Sequence, residues 1–329
     1  MDGGAVLETL RGSGVFSWEF FSSLLDRPAA LLFAAVLLEL AIPIPQKCRL
    51  SALRPIFRAM ASKVNRAQNT RAQSYFAGVM LAVLILGVLW LVLLLLQALT
   101  SFDRLLALAV LPFLLESSPA LSCASRVCAL LKKDDRAAAR RALSRHVARD
   151  CQSLSAMGIS KACCEYAALA PAASWLGVMV WYELAGLEGA VAMQVFAVLS
   201  RTFSPKYPEC ASFGLGIFRL YQGLLAAPAA VIMLCAILSL HPRRAFKKAV
   251  RGALDYPAAV SGLIAGSLGG LADLAMGGPR CYGGRMLRFP RVGGSRQPDA
   301  GAPLKILRRV LFDGTLFCTS ALVISLMFF

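Results

Sequence analysis

The chain has 329 residues, of which 58% are hydrophobic and only 16% are charged. Soluble domains average about a quarter charged residues, so this composition, with a mean hydropathy of +0.65, excludes an ordinary soluble protein and indicates a membrane protein. The formal net charge is +17, but no nucleic-acid-binding motif accompanies it. We therefore expect no nucleic-acid partner and assign the basic residues to loops that set membrane orientation and contact anionic lipid headgroups.

The ten cysteines are scattered, and no two of them have Cys-x-x-Cys spacing. Because only two histidines accompany them, His146 and His241, we predict no metal site and expect most cysteines to act as small apolar side chains. The first 27 residues are mixed in character and include acidic residues. We therefore expect no cleavable signal peptide there.

The N-terminal half begins with a short apolar segment over residues 28–44. Residues 46–74 follow with seven Lys or Arg and no acid, which predicts an amphipathic cytoplasmic segment near the headgroups. Residues 76–100 hold no charge and are long enough to cross the membrane as a helix, which satisfies its own backbone groups in lipid. Residues 105–125 contain two prolines and a glutamate, which predicts a broken crossing helix.

The middle of the chain alternates between basic and apolar segments. Residues 126–160 form the main soluble basic segment, rich in the helix formers Ala, Arg and Leu. Residues 162–182 are predicted to be the next membrane segment, with Glu165 about one turn inside it. After an acidic turn, residues 186–200 are apolar but short, and residues 213–240 form a long apolar helix candidate with an internal proline.

The C-terminal part holds a second soluble basic segment, residues 277–310, and a final membrane segment, residues 312–329. These elements predict an all-α fold: a polytopic integral membrane helix bundle with amphipathic cytoplasmic helices, in which residues 1–329 form a single membrane domain. We expect about five to seven crossings and leave their parity open, because every basic loop favours the cytoplasmic side.

Three motifs follow one another along the chain. The first places Arg149 and Asp150 after a basic helical stretch and Glu165 in the membrane segment that follows. Its positions are Asp135, Ala139, Arg140, Leu143, Val147, Arg149, Asp150, Lys161, Ala162 and Glu165. The others comprise Phe213, Gly214, Arg219, Pro228 and Ala229, and then Gly277, Gly278, Pro279, Tyr282 and Gly284. In this order and spacing, the motifs resemble the CobD/CbiB family of cobalamin-biosynthesis membrane proteins over residues 28–329.

The resemblance implies a function in vitamin B12 synthesis. Members of that family are linked to amide formation between the propionate of adenosylcobyric acid and aminopropanol or its phosphate, a C–N ligase reaction associated with ATP and Mg. It implies a multi-pass protein of the inner (cytoplasmic) cell membrane with corrinoid and nucleotide sites near the cytoplasmic face. The expected partners are membrane lipids, the corrinoid substrate if the protein is active, and either a second copy of the chain or other cobalamin-pathway proteins.

The resemblance also implies roles for single residues. Asp150 and Glu165 are expected to be catalytic, since acids inside a membrane protein are costly and are kept for function. The expected substrate-binding residues are Arg149, Arg219, Tyr282 and Gly278. Structural alternatives remain open: a charged helix end for Arg149 and Asp150, a headgroup-reaching Glu165, and an Arg219 that reaches the lipid surface or pairs with Glu165 or Asp150. The glycine-rich loop around Gly278 could equally serve tight packing.

The departures from the family pattern support a second hypothesis. After Glu165 the family has A-E-N-x-x-D-G, whereas this chain has Ala168 to Ser174 without an acid, and after Arg219 its D-D-x-x-N becomes Tyr221, Gln222 and Leu225. Mg²⁺ sites need one or two carboxylates, so this loss leaves the enzymatic activity undecided. The alternative is a catalytically degenerate member with a regulatory or binding role, like the AmpE-like membrane proteins linked to β-lactamase regulation.

Overall fold

A computed structural model describes residues 27–42, 44–66, 68–100, 103–239 and 241–328 of the chain. The expectation about a signal peptide concerns residues 1–26, which lie outside the described residues. The same holds for Pro43, Leu240 and Phe329, which belong to three of the predicted membrane segments.

The described chain is almost entirely helical. Its α-helices are α1 (Pro28–Ala41), α2 (Arg54–Val64), α3 (Arg71–Leu99), α4 (Asp103–Leu114), α5 (Ser118–Lys132), α6 (Arg136–Ser144), α7 (Ala156–Pro171), α8 (Gly177–Thr202), α9 (Phe213–Ile237), α10 (Pro242–Asp255), α11 (Ala259–Ala272) and α12 (Ala302–Phe328). Short 3₁₀ turns are found at Gln46–Cys48, Leu50–Leu53 and Pro208–Cys210, and a π-helical turn, Ala172–Leu176, joins α7 to α8.

The prediction of an all-α membrane bundle is confirmed. Within the described residues, five helical stretches are long and apolar enough to cross a membrane: Arg71–Leu99, Asp103–Lys132, Ala156–Thr202, Phe213–Ile237 and Ala302–Phe328. Helix α3 shows why the bundle suits lipid and not water. It exposes large apolar side chains along its length, among them Phe76 (66% exposed), Leu91 (57%) and Leu95 (54%), and such a continuous exposed apolar surface requires a hydrocarbon environment.

Residues 156–184 and residues 187–202 form the two arms of an antiparallel helical hairpin, the α7–α8 hairpin. Its first arm is α7, the π-helical turn and the beginning of α8, and its second arm is the rest of α8. The chain leaves helical geometry at Ala185 and Gly186, and Gly186 has φ +65°, a left-handed conformation that favours glycine. The return of the chain is fixed at the other end, where the Arg201 guanidinium donates to the Ala170 carbonyl at 3.0 Å. The bend also lies beside the far end of α3, because Gln97 donates to Glu188 at 3.0 Å.

Helix bounds differ from the predicted segments where helices continue into basic sequence. Residues 105–125 fall on two helices, α4 and α5, because the chain breaks at the buried Ser117, whose hydroxyl donates to Glu39 at 2.8 Å. Helix α12 begins at Ala302, inside the predicted soluble segment 277–310. Its first turns bury Ile306, Leu307 and Val310 in the core, so packing against the bundle, not lipid contact, extends this helix.

The glycine-rich segment before α12 forms two short antiparallel β-ladders. Strand β1 (Ala275–Gly277) pairs with β4 (Arg291–Gly293), and β2 (Arg280–Tyr282) pairs with β3 (Arg285–Leu287). The ladder β2–β3 lies between β1 and β4 in sequence, so the strands form one nested hairpin. We call residues 275–293 the β-hairpin. It packs on α7 and forms one wall of a cavity with Arg280 and Tyr282.

Candidate functional site

A cavity of about 490 Å³ lies where the irregular linker before α7, the helices α2, α7, α8 and α9, and the β-hairpin meet. Its described lining is strongly basic. The Lys and Arg side chains that line it are Arg54, Arg58, Arg145, Arg149, Arg201, Lys206 and Arg280. Glu165 is the one carboxylate among the described lining residues. The cavity volume falls within the range of small-molecule sites, and its charge favours an anionic ligand.

Glu165 lies at the centre of an ion-pair cluster. One of its oxygens accepts a hydrogen bond from Arg149, and the other lies 3.0 Å from the guanidinium of Arg280 and accepts from the backbone N–H of Gly277 at 2.7 Å. The side chains of Glu165, Arg149 and Arg280 are 6%, 9% and 4% exposed. Three donors therefore satisfy the carboxylate, which is the arrangement that makes a buried acid tolerable.

Helix α7 and the β-hairpin position this cluster. Ser155 caps α7 by accepting from the N–H of Gly158 at 3.2 Å, which starts the helix about two and a half turns before Glu165. Gly277 has φ +79°, and a Cβ there would lie 2.0 Å from the carbonyl oxygen of Pro290. Only glycine allows the two strands to approach so closely while the Gly277 N–H points at Glu165.

Arg280 is held by aromatic side chains as well as by Glu165. Its guanidinium lies 4.4 Å from the ring centroid of Phe289 and 5.4 Å from that of Tyr256, and it donates to the Tyr256 hydroxyl. Planar guanidinium groups stack favourably on aromatic rings. The second buried arginine, Arg149, has its pKa lowered to about 10, by burial first and then by the neighbouring charge of Arg280. Positive charge is therefore concentrated at this wall of the cavity.

Tyr282 faces the same cavity from two residues further along strand β2. Its ring lies 5.6 Å from the Lys206 ammonium. Burial raises the pKa of Tyr282, but the positive charges of Lys206, Arg280 and Arg149 outweigh burial, so the pKa is below its ordinary value. The pKa of Lys206 is also lowered, mainly by burial. A phenol and an amine with pKa values shifted toward neutrality are typical of functional sites.

Three predicted site residues lie outside the cavity lining: Asp150, Gly278 and Arg219. Asp150 accepts from the N–H of Gly284 at 3.1 Å, and its own N–H donates to the carbonyl of Cys281 at 2.8 Å, so it holds the β-hairpin. The hydrogen bond from Gly284 is the first cause of the lowered pKa of Asp150. Gly278 has φ +94° and lies beside the Lys161 ammonium. The predicted catalytic role of Asp150 and the predicted substrate-binding role of Gly278 stay predictions.

Arg219 lies on the exposed side of α9 and away from the cavity lining. None of the carboxylates in the described ranges comes within 4.0 Å of its guanidinium. The ion pair considered with Glu165 is absent because Arg149 and Arg280 take that position, and the one considered with Asp150 is also not formed. Its exposure fits an arginine that extends toward the membrane surface, while its predicted substrate-binding role stays a prediction.

The sequence interpretation missed Arg280, Lys206 and Arg201. Arg280 precedes Tyr282 by two residues, and side chains two residues apart in a strand lie on the same face. This spacing could have identified Arg280 only if the segment had been predicted to be a β-strand. Arg201 reaches back across the helical hairpin to the Ala170 carbonyl and to the hydroxyl of Ser174 at 2.9 Å. Ser174 belongs to the π-helical turn, and such turns recur at functional sites.

The described residues do not fit a magnesium ion held by the protein. They contain no group of three or more His, Cys, Asp or Glu that could hold a metal ion, and Glu165 is already occupied by three donors. At the positions of the family's E-N pair, the cavity is lined by Leu169 and Ala170. Phosphate groups fit better, because the Nε atoms of Arg54 and Arg280 are buried donors without a hydrogen-bond partner.

The comparisons with known proteins agree with one another. A cobalamin biosynthesis protein CobD from Mycobacterium tuberculosis is 26% identical over 203 residues, which are 60% of this chain and 64% of that protein. Another, from Rhizobium meliloti, is 28% identical over 280 residues, 80% of this chain and 83% of that protein. No solved structure matches the chain. A family model described as CobD/Cbib protein matches residues 32–310, and the chain therefore belongs to the CobD/CbiB family.

Proposed function

We propose that this multi-pass membrane protein acts in cobalamin biosynthesis, in the inner (cytoplasmic) membrane. The reaction proposed for it is amide formation between the propionate of adenosylcobyric acid and the amine of aminopropanol or of its phosphate. The observation that carries the proposal is the basic cavity, whose described lining has seven Lys and Arg side chains and one carboxylate. Such a lining favours anionic reactants, and the propionate, the aminopropanol phosphate and the phosphates of ATP are all anions.

Carboxylate and amine do not condense without activation. ATP would supply the phosphoryl group that turns a carboxylate oxygen into a leaving group. The cavity cations that form no ion pair among the described residues could hold these anions: Arg54, Arg58, Arg145, Arg201 and Lys206. No step is assigned to Mg²⁺, because the described residues offer no carboxylate set for it.

Glu165 in this proposal is a positioning residue. Since it accepts from Arg149, Arg280 and the Gly277 N–H, it fixes two cations at the cavity wall. The Lys206 ammonium lies 5.6 Å from the ring centroid of Tyr282, and the pKa of each group is below its ordinary value. We assign proton transfer from the attacking amine to this pair.

The test is production of adenosylcobinamide or its phosphate. The protein, purified in lipid nanodiscs, is incubated with adenosylcobyric acid, aminopropanol or its phosphate, ATP and Mg²⁺, and the corrinoid is analysed by mass spectrometry. Formation of the amide, lost in Lys206→Gln and kept in the exposed variant Lys133→Gln, would support the proposal. Absence of product, together with failure to restore cobalamin synthesis in cells lacking the family enzyme, would overturn it.

One observation favours a second candidate function, a corrinoid-binding or regulatory protein without ligase activity. The acids expected beside Glu165 are replaced by Leu169 and by apolar residues in the core, such as Ala173, which is 0% exposed. This candidate predicts corrinoid binding, measured by the change in its absorbance spectrum, without amide formation under any nucleotide condition. Turnover of the corrinoid by the purified protein would exclude it.

A further inference from the structure

A second basic space lies on the other side of Arg145 and His146. It has a volume of about 440 Å³ and is lined by Arg126 on α5, Arg141 on α6, and Arg145 just after α6. We call this space the arginine cleft. Its remaining described lining is Gln46, Ser122, Cys123, Leu130, Ala138, Ala142 and His146, and it includes no carboxylate.

The three arginines of the arginine cleft have no partners in the described part of the chain. None of their guanidinium groups forms an ion pair or a side-chain hydrogen bond there. The neighbouring basic residues differ: Arg136 pairs with Asp134 at 3.0 Å, and Arg140 donates twice to the carbonyl of Leu154. The fold therefore places three unpaired cations around one space while it neutralises or anchors the arginines beside them.

His146 contributes less positive charge to the arginine cleft at neutral pH than an exposed histidine would. Its pKa is below the ordinary value because of burial first, and then because of Arg54, Arg145 and Arg201. The arginines must therefore supply the attraction, and guanidinium groups bind phosphate oxygens through two parallel hydrogen bonds. Arg141 and Arg145 are four residues apart at the end of one helix, so their side chains point to the same side.

The helical stretch that carries Arg126 also exposes large apolar side chains. On α5, one turn or so before Arg126, Leu121 is 48% exposed, and on α4 Phe113 is 43% exposed. Both belong to a stretch long and apolar enough to cross the membrane. Basic pockets that open between such helices are typical sites for the headgroups of anionic lipids.

We propose that the arginine cleft binds a phosphate group, presented either by an anionic phospholipid or by a soluble phosphate compound. This site is separate from the cavity around Glu165 and does not rest on the proposed function. Arg145 lies between the two spaces and lines both, whereas Arg126 and Arg141 line the arginine cleft and not that cavity. These two residues therefore give variants that test the cleft alone.

The experiment compares two double variants of equal charge. Arg126→Gln/Arg141→Gln removes two cleft cations, and Lys132→Gln/Lys133→Gln removes two exposed cations from the end of the same helix pair, outside the cleft lining. Phosphatidylglycerol binding is measured by native mass spectrometry in detergent, with phosphatidylcholine as the uncharged lipid. Pyrophosphate binding is measured by microscale thermophoresis.

We expect Arg126→Gln/Arg141→Gln to bind at least one of the two anionic probes about tenfold more weakly than Lys132→Gln/Lys133→Gln does. A tenfold weaker affinity corresponds to the loss of roughly one charge-assisted hydrogen bond. A loss confined to phosphatidylglycerol assigns the site to lipid, and a loss confined to pyrophosphate assigns it to a soluble ligand. Equal binding of both probes by the two double variants, with both proteins folded by circular dichroism, would overturn the proposal.

Discussion

Glu165 is a single residue whose removal affects two others. Arg149 and Arg280 are both less than a tenth exposed and both contact this carboxylate. An acid that balances two buried guanidinium groups stabilises the fold chiefly by preventing uncompensated buried charge. Its effect on any activity must therefore be separated from its effect on stability.

We predict that Glu165→Gln destabilises the protein by about 3 to 5 kcal/mol, because glutamine can still accept from Gly277 but leaves two buried cations without a counter-charge. Thermal unfolding in detergent, followed by circular dichroism, measures the loss. The control is Asp150→Asn, which alters a carboxylate on the solvent side that also holds the β-hairpin. Equal melting temperatures for the two variants would contradict the prediction.

For single residues, the sequence predicted several side chains that line the cavity, but it did not predict the positions of all of them. Arg149, Glu165 and Tyr282 all line the cavity. Asp150 was expected to act with Arg149, yet α6 ends at Ser144. In the irregular linker that follows, the geometry of neighbouring side chains depends on tertiary contacts, here with the β-hairpin, and no local pattern encodes it.

The β-hairpin is the element on which the site depends most. It supplies Gly277, Arg280 and Tyr282, and it is closed by glycines in left-handed conformations. Its sequence, rich in Gly, Pro and Arg, predicted a loop. The strands are only three residues long, and a segment of that length is too short to show the alternating pattern of a strand.

We predict that Gly277→Ala disrupts the hairpin and the Glu165 cluster together. Alanine in this left-handed backbone conformation costs about 1 to 2 kcal/mol. In addition, its Cβ would lie 2.0 Å from the carbonyl oxygen of Pro290. The matched control is Gly284→Ala, where φ is +76° but a Cβ meets nothing within 4 Å. Melting temperatures of the two variants compare the costs. A loss in Gly277→Ala no larger than in Gly284→Ala would show that the close approach is unimportant.

Across the whole molecule, the α7–α8 hairpin decides which loops share a side of the membrane. Arg149 before α7 and Lys206 after α8 line the same cavity. The bend at Ala185 and Gly186 lies near Gln97 at the end of α3, while Phe213 packs against Gly78 near its start. Gln97 lies nineteen positions after Gly78, which corresponds to about 28 Å of helix, close to the thickness of the hydrocarbon core.

We predict that the loop at Gln152–Ser153 and the loop at Pro208–Glu209 face the same compartment, and that Leu184 faces the other. Short protease sites inserted singly at these three exposed positions can be digested in sealed vesicles of each orientation. Cleavage of the first two in one orientation and of the third in the opposite orientation is expected. Cleavage of the first two in different orientations would rule out the hairpin.

The sequence left the parity of crossings open because every basic loop favoured the cytoplasmic side, although an acidic turn already separated the predicted segments 162–182 and 186–200. The structure bends the chain at that turn, through a left-handed Gly186, and brings Arg201 into contact with Ala170. Hydropathy marks the turn but does not encode the contact that holds the two arms together. The overall class, by contrast, follows from composition, because lipid accepts few backbone architectures.

The contact between Glu165 and the Gly277 amide joins residues 112 positions apart in the chain, which has a consequence for biogenesis. Arg149 precedes Glu165 by sixteen residues and is therefore synthesised before it. When α7 enters the membrane, Arg149 is the member of the cluster that can already pair with the Glu165 carboxylate. Arg280 and the glycine amide emerge only after α8, α9, α10 and α11 have been made. The cluster is thus completed late in translation, and a ribosome-bound chain that stops before the β-hairpin holds a half-neutralised acid at the membrane boundary, a state that quality-control proteases could recognise.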